Sequence, residues 1–264
     1  MRQRPSGRRP SFHHAFGLGG LSFLLSGLLA LGSSIATARL YGIDVIGEFA
    51  LAYAPTGAVW FLSSAREQPA LIRLLAPLPP QHPRVTGLFV PVLAFSTALT
   101  LVASAIAAAG TYLLFNGPID HPGLFAPAMV SLGAYVLFTN PAWNVDGVLS
   151  AFRAGGDLLW IRAHQMAAYL AFAVAASFFW PSVWGLIGAA SASWVTSLVH
   201  RLWVLPKWMS WSVPRGEIRE GFRELPDILR FGLKMTPGSL ANGVSDQLGT
   251  WILGAHGSLS AVGA

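Results

Sequence analysis

No cysteine occurs anywhere in this chain, so disulfides and thiolate-bound metal centres are excluded. Charge is nearly as scarce. Asp, Glu, Lys and Arg together make up 11% of the 264 residues, where ordinary soluble domains carry roughly a quarter. So little charge cannot cover the surface of a globule of this size. The common signatures of chemistry are missing as well: there is no GxxxxGK[ST] phosphate loop, no GxGxxG and no HExxH pair. His13-His14, His82, His121, His164, His200 and His256 are scattered without ligand spacing. The chain is expected to be no enzyme, to use no cofactor or metal, and to carry no ATP-driven pump.

What is present is apolar and comes in long runs. Hydrophobic residues make up 53% of the chain. Residues 15–38 hold no charge, 45–65 hold only Glu48, 85–115 hold none, and 124–152 hold only Asp146. The runs 163–180, 183–205 and 228–254 follow. Crossing a bilayer takes about 20 apolar residues, and most of these runs lack the polar face of a soluble helix. The sequence therefore predicts an all-α membrane protein, a polytopic helical bundle of about seven transmembrane helices.

The basic residues give an orientation. Counting alternate connections, all of the 17 Lys and Arg residues except Arg39 fall on one side. Positive charge stays cytoplasmic, so the N-terminus is expected inside, and the excess of base is topological, with no nucleic acid implied. Ala36-Thr37-Ala38 has the look of a signal-peptidase site and Arg8-Arg9 that of a twin-arginine signal. However, the run 15–38 exceeds the roughly 7–15 residues of a signal core, and further spans follow it at once.

Small residues recur at every fourth position on three spans. They are Ser22, Ser26, Ala30, Ser34 and Ala38; Ser96, Thr100, Ser104 and Ala108; Gly185, Ala189, Ser193 and Ser197. In lipid, close backbone approach and hydroxyl bonds hold helices together, so these stripes predict a tight bundle, although Ala and Ser are also simply common here. Pro55, Pro91, Pro127, Pro141 and Pro237 interrupt spans and free backbone carbonyls. Between the sixth and seventh runs lies PKWMSWSVPRGEIREGFRELPD (206–227). Pro214 and Pro226 bracket a short helix there, with Ile218, Phe222 and Leu225 on one face and Trp208 and Trp211 nearby. It reads as an amphipathic cytoplasmic linker lying at the interface. The expected organisation is a basic tail (1–14), a six-helix lobe (15–205), this linker (206–227), and the first helix of a second lobe (228–264).

Three stretches carry a family resemblance: SSIATARLYGIDVIGEFALAYA (33–54), GVLSAFRAGGDLLWIRAHQM (147–166) and ILRFGLKMTPGSLANGVSDQLGTWILGAHGSLSAVGA (228–264). In these the chain resembles the polysaccharide flippases, O-antigen translocase type, of the multidrug/oligosaccharidyl-lipid/polysaccharide exporter superfamily. The resemblance implies two similar six-helix lobes around a central cavity. It also explains why LGAHGSLSAVGA (253–264) is similar to LYGIDVIGEFAL (40–51): the seventh span restarts the architecture of the first. The sequence then stands as the N-terminal half, whether as a fragment, a truncated gene product or a half-transporter that dimerises.

The implied function is flipping of a polyprenyl-diphosphate-linked oligosaccharide across the bacterial cytoplasmic (inner) membrane, for surface polysaccharide biosynthesis. The implied partners are that lipid, the membrane lipids and polysaccharide assembly proteins. A diphosphate calls for cationic side chains. Arg39, Arg66 and Lys234 are the candidates for a cationic path, with Arg73 seven residues beyond Arg66 across Pro69. Anchoring at headgroups is the competing role for such residues near helix ends. Asp146 and Asp246 lie deeper, where a carboxylate is costly unless paired, hydrated or protonated. Asn140 and Asn144 join Asp146 in a polar turn after Pro141 that is expected to face the cavity. A drug–cation antiporter of the same superfamily and an inactive truncated product are the alternatives. A membrane glycosyltransferase should carry a large acidic outer loop, whereas NGPIDHPG (116–123) is short.

Overall fold

The structure is a computed structural model that describes residues 12–63, 67–212, 215–234, 250–255 and 259–263. It is 88% helical without strands among these residues, which establishes the all-α class. The helices are α1 (Phe12–Tyr41), α2 (Ile43–Leu62), α3 (Glu67–Leu75), α4 (Pro83–Phe115), α5 (Phe125–Ala134), α6 (Asn140–Ala151), α7 (Gly155–Phe179), α8 (Val183–Val204), α9 (Arg215–Leu233) and α10 (Leu259–Gly263). A π turn, Tyr135–Thr139, joins α5 to α6, and residues 250–255 are also helical.

Among the described residues, three helical units are long and apolar enough to cross a bilayer: Pro83–Phe115, Pro122–Ala151 and Gly155–Phe179. The pair Gly27–Tyr41 and Ile43–Phe61 makes a fourth if counted as one span broken by 120°. The sequence led to an expectation of about seven. Asp44 and Glu48 load the start of α2 with charge, while serines, tryptophans and His200 lower the hydropathy of α8. The turn between α1 and α2 is a single residue. Gly42 has φ +80°, a conformation that side chains with a Cβ resist, and this lets two helices meet almost end to end.

The prolines are absorbed in different ways. Pro55 and Pro91 lie inside continuous helices. Pro141 stands in the first turn of α6, where its missing N–H costs little, and the π turn directly before it re-aims Tyr135, Phe138 and Thr139. Pro226 does not end its helix as the sequence led one to expect; α9 runs through it to Leu233. Its absent N–H would have bonded the carbonyl of Phe222, and Phe222 is exposed, so that carbonyl can be solvated. Phe222 also turns away from the expected apolar face. Gly221, Ile228 and Gly232 are the buried residues among those described in α9, and Gly221 crosses Gly87 of α4 so closely that neither position has room for a Cβ.

Two apolar cores close opposite ends of the bundle. One gathers Leu71, Leu75, Leu88, Leu149, Phe152, Leu205 and Met209, joining α3, α4, α6 and α9 beside the Arg153 turn. Trp208 belongs to this end, stacked on Phe152 at 5.9 Å, while Trp211 stays exposed. The other core gathers Leu51, Phe115, Ile119, Leu124, Val183 and Ile187. Burying a side chain such as Leu or Phe stabilises by about 1.5–3 kcal/mol against water, but the gain is far smaller where lipid is the alternative solvent. Polar contacts therefore matter more within the spans, and they occur between the two cores.

Candidate functional site

Between the two cores, α2, the π turn, α6, α7 and α8 enclose a cavity of about 590 Å³. Each element contributes for a local reason. Tyr53, Thr56, Gly57, Trp60 and Phe61 lie on successive turns of one face of α2. The π turn supplies Tyr135, Phe138 and Thr139, and α6 supplies Ala142, Trp143 and Asp146. From α7 come Arg162, Gln165 and Met166, and from α8 Trp194, Ser197 and Arg201. The walls are dominated by aromatic rings: Trp60 meets Trp143 edge to face at 5.6 Å, and Tyr53 leans on Trp194 at 6.0 Å.

The floor is an ion pair. Arg201 Nε donates to Asp146 Oδ1 at 2.7 Å and Nη2 donates to Oδ2 at 2.9 Å. The remaining Nη1 donates to the Ser197 carbonyl at 3.3 Å and to Ser197 Oγ. Asp146 and Arg201 are only 6% and 5% exposed. A bidentate fork with its third nitrogen satisfied is the arrangement that makes a buried charge pair tolerable. Removing one partner would strand the other charge at a cost of about 3–5 kcal/mol. The Ser197–Arg201 step is one helical turn, so the small-residue stripe of α8 itself aims the guanidinium at α6. The adjoining contact, Ser197 Oγ to Gln165 Oε1 at 2.9 Å, ties α8 to α7 along the same wall.

Arg162 lines the mouth, is exposed, and makes no ion pair among the described residues. The one carboxylate among the described lining residues is neutralised by Arg201, which leaves the net charge of the cavity at one positive unit. A concave aromatic wall with a few fixed polar groups is the usual form of a small-molecule site. This one suits a ligand with apolar ring faces and a negative group.

The polar turn after Pro141 divides between two faces. Asp146 enters the cavity. Asn140 and Asn144 point instead to α4, where Ser96 Oγ donates to Asn140 Oδ1 at 2.7 Å and Asn144 Nδ2 donates to Ser96 Oγ at 3.2 Å. Asn140 Nδ2 adds a bond to Thr97 at 3.2 Å. These amides hold α4 against α6, and Asn144 Oδ1 is buried without a hydrogen-bond partner.

The cationic candidates are dispersed. Arg39 ends α1 in an exposed position, and Lys234 is exposed just past α9. Arg73 lies over the ring of Phe231 at 4.9 Å, in a separate cleft that it shares with Glu224 and Asp227. Arg66 and Asp246, together with Pro237, lie outside the described residues. Of the six sequence candidates among the described residues, Asp146 alone lines the cavity. Arg162, Arg201, Gln165 and the aromatic wall were missed. One signal was available: Arg201 continues the four-residue stripe of Gly185, Ala189, Ser193 and Ser197, and an arginine on a buried stripe needs a carboxylate. Comparison with protein-family models, with curated proteins and with solved structures finds no match to this chain.

Proposed function

We propose that this chain binds and helps to translocate a lipid-linked oligosaccharide carried on a polyprenyl diphosphate. The observation that carries the reading is the charge state of the aromatic cavity: Asp146 is taken by Arg201, and Arg162 remains at the mouth. A diphosphate offers oxygens that Arg162 can hold through two parallel N–H bonds. Sugar rings present apolar C–H faces that pack on Trp60, Trp143 and Tyr53. The lipid tail would remain in the bilayer while the head crosses inside the protein. On this reading about seven spans are arranged as one six-helix lobe and the start of a second, in a bacterial cytoplasmic membrane with the N-terminus inside. The sequence resemblance to polysaccharide flippases points the same way.

A drug–cation antiporter would want an unpaired carboxylate to hold its cation, and Asp146 is not free for that role. The test is reconstitution in proteoliposomes with a fluorescent polyprenyl-diphosphate oligosaccharide, scored by its accessibility to a membrane-impermeant modifier. Translocation that is lost in Trp60→Ala and Arg162→Gln, with membrane insertion unchanged, supports the reading. Uptake of cationic dyes without movement of the anionic lipid defeats it.

A further inference from the structure

Outside the cavity, α7 and α8 share a second polar contact that the function above does not use. His164 Nδ1 and His200 Nδ1 stand 2.9 Å apart, with ring centroids at 4.7 Å. The two residues are 36 positions apart in sequence, so no local ligand spacing announces them. His164 is exposed and His200 half-buried. Trp160 flanks His164 at 6.1 Å and Trp203 flanks His200 at 6.0 Å, and both indoles are largely exposed. The result is a four-ring ladder on the outside of the α7–α8 seam, open on one edge.

We propose that His164 and His200 form a two-imidazole clip for a late first-row divalent metal ion, Cu²⁺, Ni²⁺ or Zn²⁺. Metal–nitrogen bonds of about 2.0–2.1 Å at a tetrahedral angle set the two nitrogens about 3.4 Å apart. The observed separation needs to open by only about half an ångström to reach that value. The proton balance is simple. In the metal-free pair one Nδ1 carries the shared proton and the other accepts it, so one ring is the Nδ1 tautomer and its partner the Nε2 tautomer. On metal binding the first ring moves its proton to Nε2, both Nδ1 lone pairs face the metal, and no net proton is released from the neutral pair.

The surroundings set the selectivity. No group of three or more His, Asp or Glu side chains suited to a metal exists among the described residues, so water completes the coordination. The charged groups near His200 come as ion pairs, Arg201 with Asp146 and Lys207 with Asp157, so the neutral imidazole nitrogens are the donors on offer. Hard oxygen-seeking ions such as Mg²⁺ and Ca²⁺ gain nothing here, whereas imidazole suits copper, nickel and zinc. The clip lies one residue from Gln165 and one helical turn from Ser197, the contact that seals the cavity wall. A bound ion would therefore pin α7 to α8. The proposal does not depend on what the cavity carries.

The experiment uses the full-length chain, purified in detergent without a polyhistidine tag and titrated at pH 7.5 with Ni²⁺, Cu²⁺ and Zn²⁺. Calorimetry gives the stoichiometry, and quenching of Trp160 and Trp203 reports copper locally. His164→Phe keeps the ring packed beside Trp160 and removes the donor; His200→Asn is the second variant, and circular dichroism checks the fold of each. The expected result is one site that tightens from Ni²⁺ to Cu²⁺ and weakens again at Zn²⁺. It is absent for Mg²⁺ and Ca²⁺ and lost in both variants. A raised melting temperature with Zn²⁺ should vanish with it. Binding that persists unchanged in both variants assigns the metal to other histidines and overturns the proposal, as does the absence of binding in the wild type.

Discussion

Helices α1 and α8 carry the same pattern of small residues at every fourth position and use it in opposite ways. On α8 the stripe Gly185, Ala189, Ser193 and Ser197 is buried, and it continues one turn further into Arg201. On α1 the described members of the stripe, Ala30, Ser34 and Ala38, are exposed, and the neighbouring row of Ser33, Thr37 and Tyr41 is buried instead. Tyr41 on that second row donates to the Ala173 carbonyl of α7 at 2.7 Å. Small residues permit close approach without causing it. The face that packs is the one with a polar partner waiting on the next helix. For α8 that partner is Asp146, and for α1 it is a backbone carbonyl of α7.

The largest effect should come from breaking the α8 partnership. Arg201→Met strands Asp146 in the cavity floor and should cost about 3–5 kcal/mol, measured as unfolding in mixed detergent. The double variant Asp146→Leu with Arg201→Met should recover most of that loss, because a buried pair replaced by apolar groups is often close to neutral. Arg39→Met at the exposed end of α1 should stay within about 0.5 kcal/mol. Next in size is added bulk. Ser193→Leu overfills the α8 interface and should cost about 1–3 kcal/mol, whereas Ser34→Leu on α1 should change stability by less than about 0.5 kcal/mol. Equal costs for those two would erase the distinction between the stripes. The smallest of the three losses belongs to the amide contacts of α6. Asn140→Ala should lose about 0.6 kcal/mol, the typical worth of an interhelical hydrogen bond in a membrane.

These contrasts also mark how far the sequence could be read. The all-helical class and most helix positions follow from long apolar runs, because a segment with so little charge has few other ways to satisfy its backbone in lipid. Asp146 stood out for the same reason, as a lone carboxylate in the run 124–152. Its partner did not, because the pair spans 55 residues and Arg201 sits near the end of its run, where a lysine or arginine is normally an anchor. The separate destinations of Asn140, Asn144 and Asp146 were hidden too. They depend on a π turn, which shifts the helical register by a fraction of a turn and leaves no residue signature. Aromatic residues are spread along the chain, so only folding reveals which of them share a wall.

The central claim is that the cavity holds an anionic glycolipid through Arg162, over a floor already neutralised by the Asp146–Arg201 pair. The most direct test measures binding of a short-chain polyprenyl-diphosphate oligosaccharide to the chain in nanodiscs, comparing wild type with Arg162→Gln. Loss of one charge-assisted contact of about 1.5–3 kcal/mol predicts about ten- to one-hundred-fold weaker binding, with the uncharged, phosphate-free glycolipid indifferent to the change. Equal affinity of both proteins for the diphosphate, or tighter binding once the arginine is gone, would contradict the account.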